Sequence, residues 1–251
     1  MVLFNYQESS TLELVFNDET NELSGPDDII IEETLVRKLK DMNALFRDAS
    51  GVDGDTPLYY MYNDIYRKEH EALFKNKGIK YEYTLLRPLV INGECVKAHG
   101  HVHGISPLTK TNYLEVYEVL GGKGYFELFR FIADKCEVVL VEVKQGDFVV
   151  IPPGYYHLSI NTGDIPFNFG DLIVKDPQSE YGLLKDYFGA PLFCLKDDCG
   201  NISFELNKHY QDKTISIQMV TADEVPWQIP LAKVPLYAHF VAHPAYFDFI
   251  R

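Results

Sequence analysis

Residues 99–103 read His-Gly-His-Val-His, and the chain continues further on with Glu115-Val116-Tyr117. In a β-strand, side chains two positions apart lie on the same face, separated by about 6.5 Å, so the three histidines of this stretch can share one face. Imidazole and carboxylate are ligand types that divalent transition metals accept. The stretch therefore predicts a metal site supported by β-structure.

A second spaced group follows the pattern Gly-x5-Pro-x-Gly-x2-His-x3-Asn and consists of Gly146, Pro152, Gly154, His157 and Asn161. The two glycines permit tight turns. The proline ends a strand because it lacks the N–H group that the hydrogen-bond ladder of a sheet requires. The pattern therefore predicts a turn between two strands, with the histidine at the start of the second strand.

From Lys80 onward, short apolar or alternating runs are separated by turn signals such as Asn92-Gly93 and Gln145-Gly146-Asp147. Many short strands at this spacing are typical of an all-β sandwich or barrel. The predicted strands cover residues 81–86, 96–102, 114–120, 125–132, 137–143, 147–151, 157–161 and 167–174, with weaker candidates at 202–206 and 215–220.

The N-terminal part of the chain is predicted to be an arm followed by a helix. Residues 12–16 form a short strand or hairpin arm. Apolar residues from Ile31 to Met42 recur at helical spacing, with acidic residues early and basic residues later, which predicts a helix over residues 28–46. The aromatic run over residues 58–66 is typical of core or of a subunit interface, and the charged residues 67–77 favour a helix.

The C-terminal part gives weaker signals. Residues 181–188 favour a short helix, and the prolines at 226, 230, 235 and 244 favour an extended tail that lies over the body. The sequence thus predicts one domain with two additions. These parts are an N-terminal arm and helix at 1–57, a barrel at 58–185 and a C-terminal extension packed on the barrel at 186–251.

The composition limits the function classes. The chain has 251 residues, with 37 acidic and 23 basic side chains and a formal net charge of −14. Such a charge argues against nucleic acid or an anionic membrane as a partner. The N-terminal residues lack the basic and apolar regions of a signal peptide, and no segment is long and apolar enough to span a membrane. We therefore expect a cytoplasmic protein.

Four cysteines, at 95, 136, 194 and 199, are too few and too dispersed for a disulfide framework in a chain of this length. Cys194 and Cys199 are spaced like half of a zinc site, but no second pair completes it. We expect ordinary reduced cysteines.

The two motifs resemble those of the cupin superfamily. The run from Gly146 to Asn161 matches the second cupin motif at every fixed position, and His101-x-His103-x11-Glu115 resembles the first motif with a lengthened loop. This resemblance implies a double-stranded β-helix, which is a jelly-roll barrel. It also implies that one divalent metal ion is held inside the barrel by His101, His103, Glu115 and His157.

The resemblance narrows to the cupin-type glucose-6-phosphate isomerases first recognised in archaea. It rests on Thr84, on the run from Gly100 to His103, on Tyr117 and on the run from Pro152 to Phe167. It implies that glucose 6-phosphate and fructose 6-phosphate are interconverted in a pocket lined by Thr84, Gly100 and Tyr117. The metal in that family is usually Fe²⁺, although Mn²⁺, Ni²⁺ and Zn²⁺ suit the same ligands. Similar cupins are homodimers, so a homodimer that binds a sugar phosphate is expected.

The ligand register has an alternative. His99 and His101 also satisfy the glycine spacing of the first cupin motif, counted from Gly93. The pair His101 and His103 is preferred because it keeps the isomerase pattern that includes Gly100.

The chain also departs from the isomerase pattern beside the metal. Ala98, Ile173 and Ser179 occupy positions where the family has other residues, and the threonine that Ala98 replaces contributes to phosphate binding in the family. Lys110, with Thr109 and Thr111 beside it, is a candidate substitute for phosphate binding. Lys97 is another.

The chemistry of the expected reaction assigns roles to the motif residues. Aldose–ketose isomerisation needs a Lewis acid to polarise the C1 and C2 oxygens, and a base that moves a proton between C2 and C1 through an enediol. Glu115 is the candidate base, or else a metal ligand only, and Tyr117 is the candidate catalytic hydroxyl. Two alternative functions use the same fold: a non-catalytic sugar-binding cupin and an iron-dependent cupin oxygenase.

Overall fold

The computed structural model describes residues 2–227 and 231–251, which are predominantly β-structure. The strands are β1 (Leu3–Asn5), β2 (Val15–Asn17), β3 (Glu22–Ser24), β4 (Ile29–Lys38), β5 (Pro57–Arg67), β6 (Ile79–Leu86), β7 (Val90–Ile91), β8 (Glu94–Cys95), β9 (Glu115–Gly121), β10 (Lys123–Ile132), β11 (Lys135–Lys144), β12 (Phe148–Ile151), β13 (Tyr156–Asn161), β14 (Phe167–Val174), β15 (Leu192–Lys196), β16 (Ile202–Leu206) and β17 (Thr214–Thr221). The α-helices are α1 (Gln7–Ser10), α2 (Glu71–Lys77), α3 (Gly182–Asp186) and α4 (Leu236–Ala242). Short 3-10 helices cover Leu39–Asp41, Asn43–Leu45, Lys68–His70, Lys208–Tyr210, Ala222–Glu224 and Pro244–Ile250.

Two sheets enclose the main core. The six-stranded sheet has the order β12-β9-β14-β6-β5-β4, and the four-stranded sheet has the order β13-β10-β11-β17. Neighbouring strands in both sheets are antiparallel, except that β17 runs parallel to β11. Phe126 of β10 and Phe169 of β14 pack with ring centroids 5.4 Å apart, so the two sheets share one interior. The expected all-β barrel of the jelly-roll type is confirmed.

Segments outside the predicted barrel contribute strands to its sheets. β4 joins the six-stranded sheet beside β5, and β17 joins the four-stranded sheet beside β11. Two small sheets, β1-β2-β3 and β16-β15-β8-β7, flank the body. Strands from both flanking segments thus complete the barrel sheets. The boundaries at residues 57/58 and 185/186 stay predictions.

Alternation along β6 separates a packing face from a pocket face. Tyr81 and Tyr83 are fully buried, and the ring of Tyr81 lies 5.3 Å from that of Tyr237 in the C-terminal helix α4. Successive side chains of a strand point to opposite faces. Glu82 and Thr84 therefore point away from that helix and into the barrel, toward β9.

The predicted helix over residues 28–46 is wrong. The segment forms β4, paired antiparallel with β5, and two 3-10 turns follow it. Its first residues, Ile29-Ile30-Ile31, are β-branched, and such side chains favour strands over helices. The aromatic strand β5 supplies the pairing partner, and its Tyr59, Tyr60, Tyr62 and Tyr66 are buried in the core. The pairing places Arg37 opposite Tyr59.

The prediction of an extended tail is wrong for the last part of the chain, which is helical. Pro235 directly precedes α4, and Pro244 begins the final 3-10 helix. A proline is tolerated in the first turn because its missing N–H would have no helical partner there. Phe240 and Phe247 are fully buried, so this segment packs against the face of the six-stranded sheet that carries Tyr81. Pro230 lies outside the described residues.

Two expectations about the whole chain can be compared with the structure. All four cysteines are free, as predicted, and only Cys199 among them is exposed. Among the described residues, no helix has the length and apolar character needed to cross a membrane.

Candidate metal centre

Four predicted ligands converge in the barrel. The ligating atoms of His101, His103, Glu115 and His157 all lie within 4.8 Å of one another. Glu115 Oε2 is 3.1 Å from His103 Nε2 and 3.2 Å from His157 Nε2. The Nε2 atoms of His101 and His103 are 3.1 Å apart. Three imidazoles and one carboxylate therefore face a common point.

Backbone pairing fixes two of these histidines relative to each other. The amide of His101 donates to the carbonyl of His157 at 3.1 Å, and the amide of His157 donates back at 2.9 Å. This bridge joins the loop of the first motif to β13, and β9 carries Glu115 in the facing sheet. The ligands thus come from both sheets and from the loop between them.

The orientation of His103 is set by a backbone carbonyl. Its Nδ1 lies 3.0 Å from the carbonyl oxygen of Tyr113 and donates to it. A histidine that donates from one ring nitrogen presents the other as a lone pair, which is the usual arrangement behind a metal ligand. His103 Nε2 is therefore free to bind a cation.

The donor set fits a divalent metal. Glu115 Oε2 and His157 Nε2 are buried and have no hydrogen-bond partner, and an unsatisfied buried polar group is costly. Metal–ligand bonds of about 2.1 Å at right angles place neighbouring ligand atoms about 3 Å apart. The separations of 3.1 and 3.2 Å around Glu115 agree with this spacing.

The protonation states also suit a metal. Burial lowers the pKa of His101 well below its ordinary value and lowers that of His157, so both rings stay neutral. Burial alone would raise the pKa of Glu115, but His103 and His157 hold it well below the ordinary value. Metal ligands must be deprotonated, and Glu115, His101 and His157 meet that requirement.

Tyr117 and Asp171 surround the carboxylate of Glu115. Burial and the charge of Glu115 raise the pKa of Tyr117 well above its ordinary value, so its hydroxyl stays protonated beside Glu115. Asp171 lies opposite Tyr117 in the β14–β9 register. Burial, with the carboxylates of Glu115 and Glu82 nearby, raises the pKa of Asp171 well above its ordinary value. Asp171 is therefore protonated and places a second neutral acid group near Glu115.

Asp171 and the ion pair beside it belong to no sequence motif. Lys80 Nζ lies 2.8 Å from Glu82 Oε1, and burial raises the pKa of Glu82 to about 7. A signal existed in the sequence, because Lys80 and Glu82 alternate with the tyrosines of β6. Charged residues that alternate with core residues along a strand lie on the opposite face of the sheet, which is either the interior of the barrel or the solvent-facing side.

A cavity of about 90 Å³ opens beside the histidines. Thr84, Gly100 and Tyr117, all predicted substrate-binding residues, line it together with His101 and His157. Ligand pockets usually measure about 300–1,000 Å³. Binding of a hexose phosphate therefore requires the lining side chains to move apart.

The predicted phosphate-binding lysines lie elsewhere. Lys110 is exposed on the loop that follows the first motif and does not line the cavity, so its role stays a prediction that needs a movement of this loop. Lys97 is buried, pairs with Glu94 and donates to the carbonyl of Leu45 at 2.8 Å. Its charge is therefore already neutralised.

His99, a ligand in the alternative register, lies outside the ligand cluster in the structure. The predicted strand over residues 96–102 is replaced by isolated bridges, and Gly100 has φ +78°. This left-handed conformation favours glycine and turns the chain between His99 and His101. The ring of His99 packs 4.9 Å from that of Tyr181 instead.

The fold and the site define a class: a cupin barrel with a cluster of three histidines and one glutamate that can hold a metal ion. A family model described as glucose-6-phosphate isomerase (GPI) matches residues 36–211, and the chain belongs to this family. The match extends beyond residue 185, so β15 and β16 belong to the family region.

Curated archaeal relatives agree with the family model. The chain is 32% identical over 155 residues to glucose-6-phosphate isomerase of Thermococcus litoralis, an alignment that covers 60% of this chain and 75% of the relative. The enzyme of the same name from Pyrococcus horikoshii is 30% identical over 156 residues, covering 61% and 76%.

Solved structures show more distant likenesses. Oxalate decarboxylase from Bacillus subtilis is 18% identical with a TM-score of 0.34, covering 47% of this chain and 26% of that one. Vicilin from Corylus avellana is 12% identical with a TM-score of 0.37, covering 55% and 33%. The chain thus spans about a quarter to a third of the length of these two proteins.

Proposed function

We propose that the chain is a metal-dependent aldose–ketose isomerase that interconverts glucose 6-phosphate and fructose 6-phosphate. The observation that carries the proposal is the buried cluster of three histidines and Glu115 beside a cavity lined by Thr84 and Tyr117. The names of the archaeal relatives support the choice of substrate.

The reaction moves one proton between neighbouring carbons. A bound divalent metal would polarise the C1 and C2 oxygens as a Lewis acid. Glu115, kept ionised by its neighbouring imidazoles, takes the proton from C2 while O1 gains a proton, which gives the enediol. The proton then returns to C1 as O2 loses its own, and the ketose forms. The reaction is balanced without any external oxidant or reductant.

Tyr117 and Asp171 assist Glu115. Both are protonated donors beside its carboxylate. Hydrogen bonds from them would hold the carboxylate in place, and burial excludes water from the proton being moved. We propose Thr84 and the backbone at Gly100 as substrate contacts, since both line the cavity. Lys110 would contribute only after its loop moves.

The finer properties of the site are proposals as well. Fe²⁺ is the proposed metal, with Mn²⁺, Ni²⁺ and Zn²⁺ as competitors because imidazole and carboxylate ligands accept all four. We also propose a homodimer in the cytoplasm. Elemental analysis of the purified protein tests the first point, and light scattering tests the second.

The test of the function is a coupled assay of both directions after loading with each of the four metals. Turnover that disappears on chelation and returns on reloading is expected. His101→Gln should abolish metal binding and turnover, whereas His243→Gln, an exposed histidine outside the cluster, should leave both intact. Absence of turnover above background with every metal would refute the proposal. Oxygen consumption in its place would favour the oxygenase.

A further inference from the structure

The positively charged side chain of Arg37 lines the cavity beside the metal cluster, and no sequence motif indicated it. Arg37 stands at the end of β4, opposite Tyr59 of β5, where the register shifts between Arg37 and Lys38. Arg37 and Tyr59 line the same cavity as His101 and His157. The sequence predicted a helix around Arg37. Its position in this cavity follows from the pairing of β4 with β5.

The guanidinium of Arg37 has unused hydrogen-bonding capacity. It lies beside the hydroxyl of Tyr59, which accepts the backbone amide of His99 at 3.2 Å. Its Nε is buried without a hydrogen-bond partner, and it forms no ion pair with any described carboxylate. By contrast, the adjacent Lys38 is paired with Asp55 at 2.9 Å. A buried donor without a partner is costly unless a ligand satisfies it.

Arg37 is also the only lysine or arginine among the described residues that line this cavity. His99 also lines the cavity, and its ring packs 4.9 Å from that of Tyr181. The chain as a whole carries a formal charge of −14 and repels anions at long range. An anionic substrate therefore needs a local cation, and Arg37 is the one that the cavity provides.

We propose that Arg37 forms the anion subsite of this pocket and binds the phosphate group of the sugar phosphate. This proposal rests on the proposed function. A guanidinium presents several N–H donors in a planar fork that matches a phosphate group in both geometry and charge. Tyr59, which lines the same cavity, is placed to complete the subsite.

The same contacts orient the substrate. From Arg37 the lining continues through Tyr59 and His99 to Tyr181, whose ring lies 5.5 Å from that of His101. Arg37 and two histidines of the metal cluster, His101 and His157, thus line one cavity. With the phosphate at Arg37, the sugar would extend toward the metal cluster.

The test compares Arg37→Met with Arg37→Lys and with Lys38→Met as a matched control. Lys38→Met removes the same charge from the next residue, outside the cavity. Loss of charged hydrogen bonds should raise the KM for fructose 6-phosphate about 10- to 100-fold, with a smaller change in kcat. Arg37→Lys should recover part of the loss, and Lys38→Met should behave as wild type. Metal content should be equal in all variants.

A binding measurement separates this proposal from the proposed function. Calorimetry with fructose 6-phosphate, fructose and inorganic phosphate, on metal-loaded protein, does not depend on turnover. Weaker binding of the two phosphate compounds by Arg37→Met, with fructose unchanged, supports the subsite even if no isomerisation occurs. Unchanged phosphate binding by Arg37→Met overturns the subsite even if wild type isomerises. Equal losses for fructose and its phosphate, or no binding of either phosphate compound to wild type, also overturn it.

Discussion

The backbone amide of Leu236 donates to Oε2 of Glu118 at 2.6 Å, which ties the C-terminal helix to the strand that carries Glu115 and Tyr117. Glu118 is buried, and burial raises its pKa to about 8. The helix is thus anchored on a carboxyl group that is protonated at neutral pH. The stability of this anchor depends on pH.

We expect Glu118 to lower the free energy of unfolding more strongly as the pH rises. Because its pKa in the folded state is higher than in the unfolded state, the folded protein binds more protons. The free energy of unfolding therefore falls between about pH 4.5 and pH 8, by up to about 1.4 kcal/mol per pH unit for this group, and then levels off. Urea denaturation from pH 5 to pH 9 measures it.

Two variants separate the charge of Glu118 from its hydrogen bond. Glu118→Gln keeps the acceptor for Leu236 and should weaken the pH dependence while raising stability at pH 8. Glu118→Ala leaves the amide unsatisfied and should cost about 1–3 kcal/mol at pH 5. If Glu118→Gln shows the same pH slope as wild type, Glu118 is not the titrating group.

Metal removal should lower thermal stability. Ligands from the first motif and from β13 meet only in the folded state, so a bound ion stabilises by mass action, about 2.7 kcal/mol at a free concentration 100 times the Kd. Scanning calorimetry with and without chelator should show a lower Tm in the chelator. His157→Ala should show no difference between the two conditions, whereas His209→Ala should respond as wild type does.

Gly100→Ala should disturb the site through sterics. A Cβ on Gly100 would lie 2.8 Å from Leu184 Cδ2 and 3.2 Å from Leu158 Cβ, in a backbone conformation with φ +78°. Gly51 has nearly the same φ, +74°, and a Cβ there would meet no atom within 4 Å. Gly51→Ala therefore reports the backbone cost alone, about 1 kcal/mol. Gly100→Ala should cost clearly more and weaken metal binding, as urea titration and metal analysis would show. Equal costs would show that the contacts with Leu184 and Leu158 relax freely.

Tyr117→Phe should slow catalysis without loss of metal. The variant removes the hydroxyl beside Glu115 but keeps the ring, which packs 5.3 Å from Phe169. We expect kcat to fall about 10²-fold, the lower end of the range for acid–base assistance, with KM little changed. Tyr125→Phe, on β10 against Phe204, is the matched control and should retain full activity. Full activity of Tyr117→Phe would remove the hydroxyl from the mechanism.

The motif residues were predictable from sequence because their spacing reflects local turns and strands. The glycine and proline positions around His157 define a turn before β13, and strands from β9 to β14 follow their apolar patterns. Residues whose role depends on long-range pairing were not predictable. Arg37 required the β4–β5 register, and Asp171 required the β14–β9 register. Helical spacing from Ile31 to Met42 predicted the wrong structure because a local pattern contains no information about the partner strand β5.

The parallel strand β17 forms the edge of the four-stranded sheet, far from the metal cluster in strand order. It lies at residues 214–221, after the end of the family match at residue 211, and β10 and β11 separate it from β13. Its outward side chains Ile217 and Met219 are exposed. Ile217 and Met219 therefore lie at the edge of this sheet, with two strands between them and His157. Substitutions of these two side chains are expected to leave the metal cluster intact.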